Sequence, residues 1–116
     1  MNDRELLEMA ARAAGIESLG YGQNGIVVDI SAPCFVGYWN PLSDDGDALR
    51  LAALLNLEVG WDDKYEKECN VLVSIVGGII YDCSFPYNGD KLAATRRAIV
   101  SAAAEIGRTM TTESVR

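Results

Sequence analysis

The side chains best suited to chemistry are three aspartates at the start of a predicted helix. Asp44, Asp45 and Asp47 are close in sequence, and carboxylate oxygens are the ligands that Mg²⁺ and Ca²⁺ prefer. A calcium loop, however, needs acids at alternate positions, a central glycine and a distant glutamate, and this spacing lacks them. Acids in a first turn also cap a helix and complement its dipole. The pattern therefore favours a helix cap, with a metal site as the alternative.

The other candidate nucleophiles are Cys34 and Cys83. Cys34, Cys69 and Cys83 are an odd number without a C-x-x-C pair, which is typical of reduced thiols in a cytosol. A reactive thiolate needs a nearby base or cation, and the sequence identifies neither. The chain has no histidine, which excludes Ser-His-Asp triads, Cys-His dyads and Cys/His zinc fingers. We therefore predict no enzyme, the alternative being one that uses the aspartates or a cysteine.

A glycine-rich segment, residues 20–25, matches the pattern G-x-G-x-x-G. In a dinucleotide site a helix begins at this loop and holds the pyrophosphate at its N-terminus. Here a β-branched run, Ile26-Val-Val-Asp-Ile30, follows instead, and Asn24-Gly25 is a common hairpin turn. The sequence therefore predicts two strands over about residues 17–30 and no nucleotide or other cofactor.

Negative charge dominates the chain and is concentrated in its middle. The net charge is −7, and residues 29–63 hold a single base, Arg50. The acids of that region are Asp29, Asp44, Asp45, Asp47, Glu58, Asp62 and Asp63. Duplex binding needs a basic face, so Lys91, Arg96 and Arg97 are interpreted as surface charges and no direct nucleic-acid contact is predicted. The acidic region is either a solvated surface or the surface that meets a basic partner.

Aromatic residues lie in the acidic region and after it. The candidate anchors are Tyr38, Trp39, Trp61, Tyr65 and Tyr87, because aromatics surrounded by charge are typical of interface hot spots. The alternative for the two tryptophans is a place in the core. The predicted partner-binding set is Tyr38, Trp39, Asp44, Asp45, Asp47, Trp61, Asp62, Asp63 and Tyr65.

Three helices are predicted from caps and apolar stripes. The first begins after Asn2, with Glu5 completing a capping box, and ends at Gly15. The second begins near residues 43–45 and runs to Asn56. The third begins after Asp90 and closes at Gly107, and residues 109–116 are predicted to fray. Its predicted apolar stripe is Leu92, Ile99, Ala103, Ile106 and Met110.

Strands fill the remaining chain. Residues 31–42 are predicted to be irregular, residues 57–61 a strand, and residues 70–85 a hairpin with Gly77-Gly78 as its two-residue turn. That turn pairs Val76 with Ile79 and leaves both hairpin faces largely apolar. We therefore expect helices, or a second copy in a symmetric dimer, to cover both faces.

The order of these elements predicts a single α+β domain over residues 1–116. It has a mainly antiparallel sheet of about five strands packed with three helices, as an α-β-α layered sandwich. No run of about 18 apolar residues is present, and the charged N-terminus is unlike a signal peptide. A cytoplasmic protein without a membrane segment is expected.

Three segments resemble a known family. Residues 6–15, 38–50 and 95–107, and above all the element W-N-P-L-x-D-D-G-D-A-L-R-L, are similar to the phage α-β-α sandwich domain of temperate phages and prophages. The resemblance implies a two-sided sandwich and a phage accessory protein in bacterial cytoplasm. It implies no catalytic residues. The function expected is binding and inhibition of a host protein, with a nucleic-acid-handling defence complex such as a CRISPR effector as one candidate.

Overall fold

The computed structural model describes residues 2–31, 35–62, 70–75 and 82–114. These ranges contain α1 Asp3–Ala14, β1 Gly20–Gly22, β2 Gly25–Ser31, β3 Phe35–Trp39, α2 Asp45–Leu54, β4 Leu57–Asp62, β5 Asn70–Ile75, β6 Asp82–Pro86 and α3 Lys91–Ser114. The predicted α+β class with three helices is confirmed. Within the described ranges, no helix has the length and apolar character needed to cross a membrane.

The six strands form two antiparallel sheets of three strands each, where the sequence predicts about five strands in one sheet. The strand orders are β1-β2-β3 and β4-β5-β6. The missed strand is β3, which pairs with β2 so that Trp39 lies opposite Ile26. The prediction of an irregular segment over 31–42 was wrong here because Gly37 and the prolines at 33 and 41 mask a short strand that its neighbour stabilises.

The second sheet has a different register from the predicted one. Val73 pairs with position 83 and Ser74 with position 82, which is one residue away from the pairing of Val76 with Ile79. A shift by one residue exchanges the faces of a strand. Val71 and Val73 are fully buried, whereas Leu72 between them is 44% exposed. We expected both faces of this hairpin to be covered. At Leu72, the described part of this chain does not provide that cover. The Gly77-Gly78 turn lies outside the described residues.

The helix caps are those that the sequence predicts. Asn2, Asp44 and Asp90 each accept a backbone N–H through a side-chain oxygen at 2.8–2.9 Å, at the starts of the three helices. Gly15 ends α1 with φ 72°, a left-handed conformation that favours glycine. These signals are local, so they are legible without the tertiary structure.

The third helix lies at the centre of the molecule and is longer than predicted. It packs against α1, α2, β5 and β6 and continues through Gly107 to Ser114, so the predicted end at Gly107 was wrong. Gly107 is buried, and a Cβ there would lie 1.8 Å from the carbonyl oxygen of Met9. This glycine allows α3 to approach α1 closely.

The buried stripe of α3 also differs from the prediction. Ile99 and Ala103 are buried as expected. Leu92 and Met110, predicted to be part of the same stripe, are 61% and 41% exposed. Alanines fill most of the buried surface of α3 instead, which lets neighbouring elements pack closely around it. Leu92 is thereby left on the outside of the helix, beside α2.

Candidate functional site

The predicted aspartate cluster is part of a folded turn. The side chain of Asp47 is 15% exposed and accepts hydrogen bonds from the backbone N–H of Asn40 at 3.0 Å and from Arg50 at 2.7 Å. Asp44 caps α2, as predicted. Asp45 accepts a hydrogen bond from Arg96 Nη1 at 2.7 Å. Each of the three carboxylates therefore has a partner inside the chain.

The residues before these aspartates complete the same unit. Trp39 is 8% exposed and belongs to the core, which is the alternative that the sequence left open for it. Asn40 accepts the backbone N–H of Leu42 at 3.1 Å and donates to the carbonyl of Asn24 at 3.4 Å. We name residues 39–47 the aspartate turn. It fixes the path of the chain from the first sheet into α2.

The chemical alternatives draw no support from the described residues. Within those ranges, no group of three or more His, Cys, Asp or Glu side chains is placed to hold a metal ion. Residues 20–25 form the predicted β-hairpin, with Gly22 opposite Gly25. Cys34, Cys69, Asp63 and Tyr65 lie outside the described residues, as does the side chain of Cys83.

Beside the aspartate turn lies a groove between α2, α3 and β4 with a volume of about 270 Å³. We name it the α2–α3 groove. Its lining residues are Asp45, Ala48, Leu49, Ala52, Val59, Trp61, Leu92, Thr95, Arg96 and Ile99. Three large apolar side chains in this lining are open to solvent: Leu49 is 69%, Leu92 61% and Trp61 49% exposed. The groove is therefore an apolar surface that the described part of the chain leaves uncovered.

The rim of the groove is charged. Arg96 is only 18% exposed, because its guanidinium donates to the carbonyl of Leu42 at 2.9 Å as well as to Asp45. The charge of Arg96 is therefore used in the contact between α2 and α3. Glu58 and Asp62 are exposed on β4, but they alternate with Val59 and Trp61 and so lie on the opposite face of that strand. The charged residues that line the groove are therefore Asp45 and Arg96, which are paired with each other.

The orientation of Trp61 is fixed although half of the side chain is exposed. Its Nε1–H donates to Thr95 Oγ1 at 2.9 Å, and that hydroxyl donates to the carbonyl of Lys91 at 2.7 Å. An indole held in this way loses little side-chain entropy when a partner covers it. The groove thus has one rigid aromatic wall.

The structure brings together part of the predicted set and separates the rest. Asp45 and Trp61 line the same groove. Tyr38 is 55% exposed on the first sheet, where it pairs with Val27. Leu49 and Leu92 were not predicted as site residues, because leucine in a helix is ordinarily assigned to the core. No local sequence signal marks Leu49, which lies off the stripe that the structure buries on α2, namely Ala48, Leu51 and Ala52.

Comparison of the chain with family models, curated proteins and solved structures finds no match. The resemblance to the phage α-β-α sandwich domain therefore stays a prediction.

Proposed function

We propose that this protein is a non-enzymatic binding protein that covers a basic, partly apolar surface of a host protein with the α2–α3 groove and so inhibits it. The observation that supports the proposal is the exposure of Leu49, Trp61 and Leu92 around one groove. Burying one such side chain contributes about 1.5–3 kcal/mol. Clustered apolar exposure of this kind is typical of interaction sites.

The charge of the partner follows from the charge of this chain. With a net charge of −7 for the whole chain, a basic surface is the electrostatic complement. Proteins that handle nucleic acid present such surfaces. The family resemblance adds the expectation of a phage or prophage protein in bacterial cytoplasm, for which a CRISPR effector or another defence complex is a candidate target.

Enzymatic function is the weaker proposal for this site. Asp44, Asp45 and Asp47 are engaged by a helix terminus, Arg50 and Arg96, so they are not arranged around a common space. The α2–α3 groove is lined mainly by apolar side chains, and its polar residues Asp45, Thr95 and Arg96 are already hydrogen-bonded within the chain.

Site-specific photo-crosslinking in bacterial cells tests the proposal. A photo-crosslinking amino acid is placed at position 49 or 92, and at position 72 as the matched control, because Leu72 is also exposed but lies on the second sheet. We expect one discrete adduct from positions 49 and 92, its loss in Trp61→Ser, and none from position 72. Equal adducts at all three positions, or adducts that Trp61→Ser leaves unchanged, would contradict the proposal.

The charge argument has its own test once the captured host protein is purified. Asp44→Asn removes a charge next to the groove and keeps a good helix cap, since asparagine caps as well as aspartate. We expect its association rate to fall at low salt and to approach that of the wild type at high salt. Inhibition is measured by adding the wild type or a Leu49→Ser/Leu92→Ser variant to the host protein's own assay, where only the wild type should inhibit.

A further inference from the structure

Two asparagine–glycine pairs occur in the chain, and the fold holds them in different ways. The pairs are Asn24-Gly25 and Asn88-Gly89. Asparagine is most prone to spontaneous deamidation when glycine follows it, because glycine has no Cβ to hinder attack by its own backbone nitrogen. The reacting residues are the same in both pairs, so a large difference in their reactivity has to come from the structure around them.

The first pair is held within the first sheet. Gly25 is buried and belongs to β2, where it pairs with Gly22. The carbonyl of Asn24, which is part of the peptide that joins the pair, accepts a hydrogen bond from Asn40 Nδ2 at 3.4 Å. A Cβ placed at Gly25 would lie 2.7 Å from the carbonyl oxygen of Trp39, so the backbone here is closely packed. The peptide between Asn24 and Gly25 is therefore fixed by its neighbours.

The second pair lies in an exposed turn before α3. Asn88 and Gly89 are both exposed and have φ angles of 50° and 86°, and positive φ at both central residues marks a type I′ turn. The hydrogen bond of this turn runs from the N–H of Asp90 to the carbonyl of Tyr87 at 3.0 Å and does not involve the peptide between Asn88 and Gly89. Within the described residues, nothing beyond its chain neighbours lies within 4 Å of a Cβ placed at Gly89. This peptide is therefore able to rotate without displacing a packed neighbour.

We propose that Asn88 is a site of spontaneous deamidation in the folded protein and that the fold protects Asn24. The backbone nitrogen of Gly89 loses its proton to base and forms a bond with Cγ of Asn88, and the side-chain nitrogen leaves as ammonia. Water then opens the resulting succinimide ring at either carbonyl, which gives aspartate or isoaspartate at position 88. The net change consumes one water and releases one ammonia. The reaction needs no partner protein, so it does not depend on the proposed function.

Deamidation places a new carboxylate at the start of α3. Asn88 lines a cleft of about 350 Å³ together with Asp90 and Arg97. The aspartate product keeps the backbone unchanged, and aspartate tolerates the left-handed conformation of this turn. Isoaspartate instead carries the backbone through the side chain and adds a methylene group before the cap Asp90. Both products add one negative charge, and the isoaspartate product also alters the turn that leads into α3.

The test is incubation of the purified protein in mildly alkaline buffer, followed by proteolysis at acidic pH and mass spectrometry that assigns the deamidation to position 24 or 88. A parallel sample in urea measures the intrinsic reactivity, because the protection by the fold is absent there. In the native protein we expect Asn88 to react at least about tenfold faster than Asn24, which reacts only when its strand opens locally. In urea the two rates should become similar.

Asn88→Gln is the matched variant, because glutamine keeps the amide but forms the larger ring slowly. The product at position 88 should be lost in this variant, and chromatographic separation of the wild-type peptides identifies isoaspartate among the products. Native rates as similar as those in urea, or a faster reaction at Asn24, would overturn the proposal. It would also be overturned by an Asn88 that reacts in urea and stays intact in the native protein.

Discussion

The aspartate turn and the α2–α3 groove lie side by side but use their residues in opposite ways. In the turn, the polar side chains have partners within the chain and Trp39 is buried. In the groove, the apolar side chains of Leu49, Trp61 and Leu92 remain exposed. The aspartate cluster, the most conspicuous pattern in the sequence, is thus explained by its role in folding. The exposed α2–α3 groove, which folding does not explain, has little sequence pattern.

The two regions are coupled through the second helix. Asp44 and Asp47 determine where α2 begins, and Leu49 lies on its next turn. Arg96 joins this helix to α3 through Asp45 and the carbonyl of Leu42. The turn therefore positions one wall of the groove. Substitutions in the turn should lower stability, and substitutions in the groove should lower binding at nearly unchanged stability.

The largest effect is expected from Trp39→Ala. Removing a buried tryptophan side chain leaves a cavity and should lower the free energy of unfolding by about 3–5 kcal/mol. Urea denaturation measures the loss. The matched control is Tyr38→Ala, the neighbouring residue at 55% exposure, which should change stability by about 0.5 kcal/mol or less. Similar losses of stability for Trp39→Ala and Tyr38→Ala would show that the buried Trp39 contributes no more to stability than its exposed neighbour.

A smaller loss is expected from Asp47→Asn. An asparagine oxygen accepts less strongly from the Asn40 N–H and no longer pairs with Arg50, at a site that is 15% exposed. The cost should be about 1–3 kcal/mol. Asp44→Asn is the control, because it retains the cap and should cost only a few tenths of a kcal/mol. Denaturation midpoints that fall in the reverse order would show that the turn is not held together by Asp47.

The double substitution Leu49→Ser/Leu92→Ser should barely alter stability, by about 0.5 kcal/mol or less. Both side chains are more than half exposed, so little buried area is lost. The binding of the fluorescent dye ANS to exposed apolar surface should nevertheless fall by about half. Leu72→Ser is the control for an exposed leucine elsewhere. A stability loss above about 2 kcal/mol would mean that the groove residues are part of the core.

A further small effect concerns an exposed ion pair away from both regions. Arg108 donates a hydrogen bond to Glu105 and so lowers the pKa of that carboxyl. A lowered pKa in the folded state stabilises the protein above the ordinary glutamate pKa of about 4.3 and ceases to do so as the pH falls through the lowered value. Glu105→Gln should therefore cost at most about 1 kcal/mol at pH 7 and less at pH 3. Urea denaturation at the two pH values checks this.

The Glu105 result also calibrates the aspartate turn. If an exposed pair on α3 costs as much as Asp47→Asn, the contribution of Asp47 is that of an ordinary surface charge. If Asp47→Asn costs clearly more stability than Glu105→Gln, the additional cost is assigned to the partly buried backbone hydrogen bond that Asp47 accepts from Asn40.

Much of the fold is predictable from the sequence because its signals are local. The caps at Asn2, Asp44 and Asp90 and the hairpin at residues 20–25 depend on neighbours a few residues away. The strand β3, the register of the second sheet and the close approach at Gly107 depend on pairing between distant segments. A single sequence contains no local signal for such contacts.

The candidate site is predictable only in part for a related reason. Trp61 and Asp45 attract attention by residue type, and both line the groove. Leu49 and Leu92 are ordinary helix residues, and only the packing of α2, α3 and β4 shows that they face solvent. Exposure is a property of the assembled structure, so it escapes a search for reactive side chains.

The most direct test of this account is the affinity of the host protein captured at position 49 for the variant Trp61→Ser. The α2–α3 groove is the binding surface in this account, and its rigid aromatic wall should act as a hot spot. We therefore expect the dissociation constant to rise at least tenfold while the urea midpoint stays close to that of the wild type. An affinity within twofold of the wild type would contradict the account.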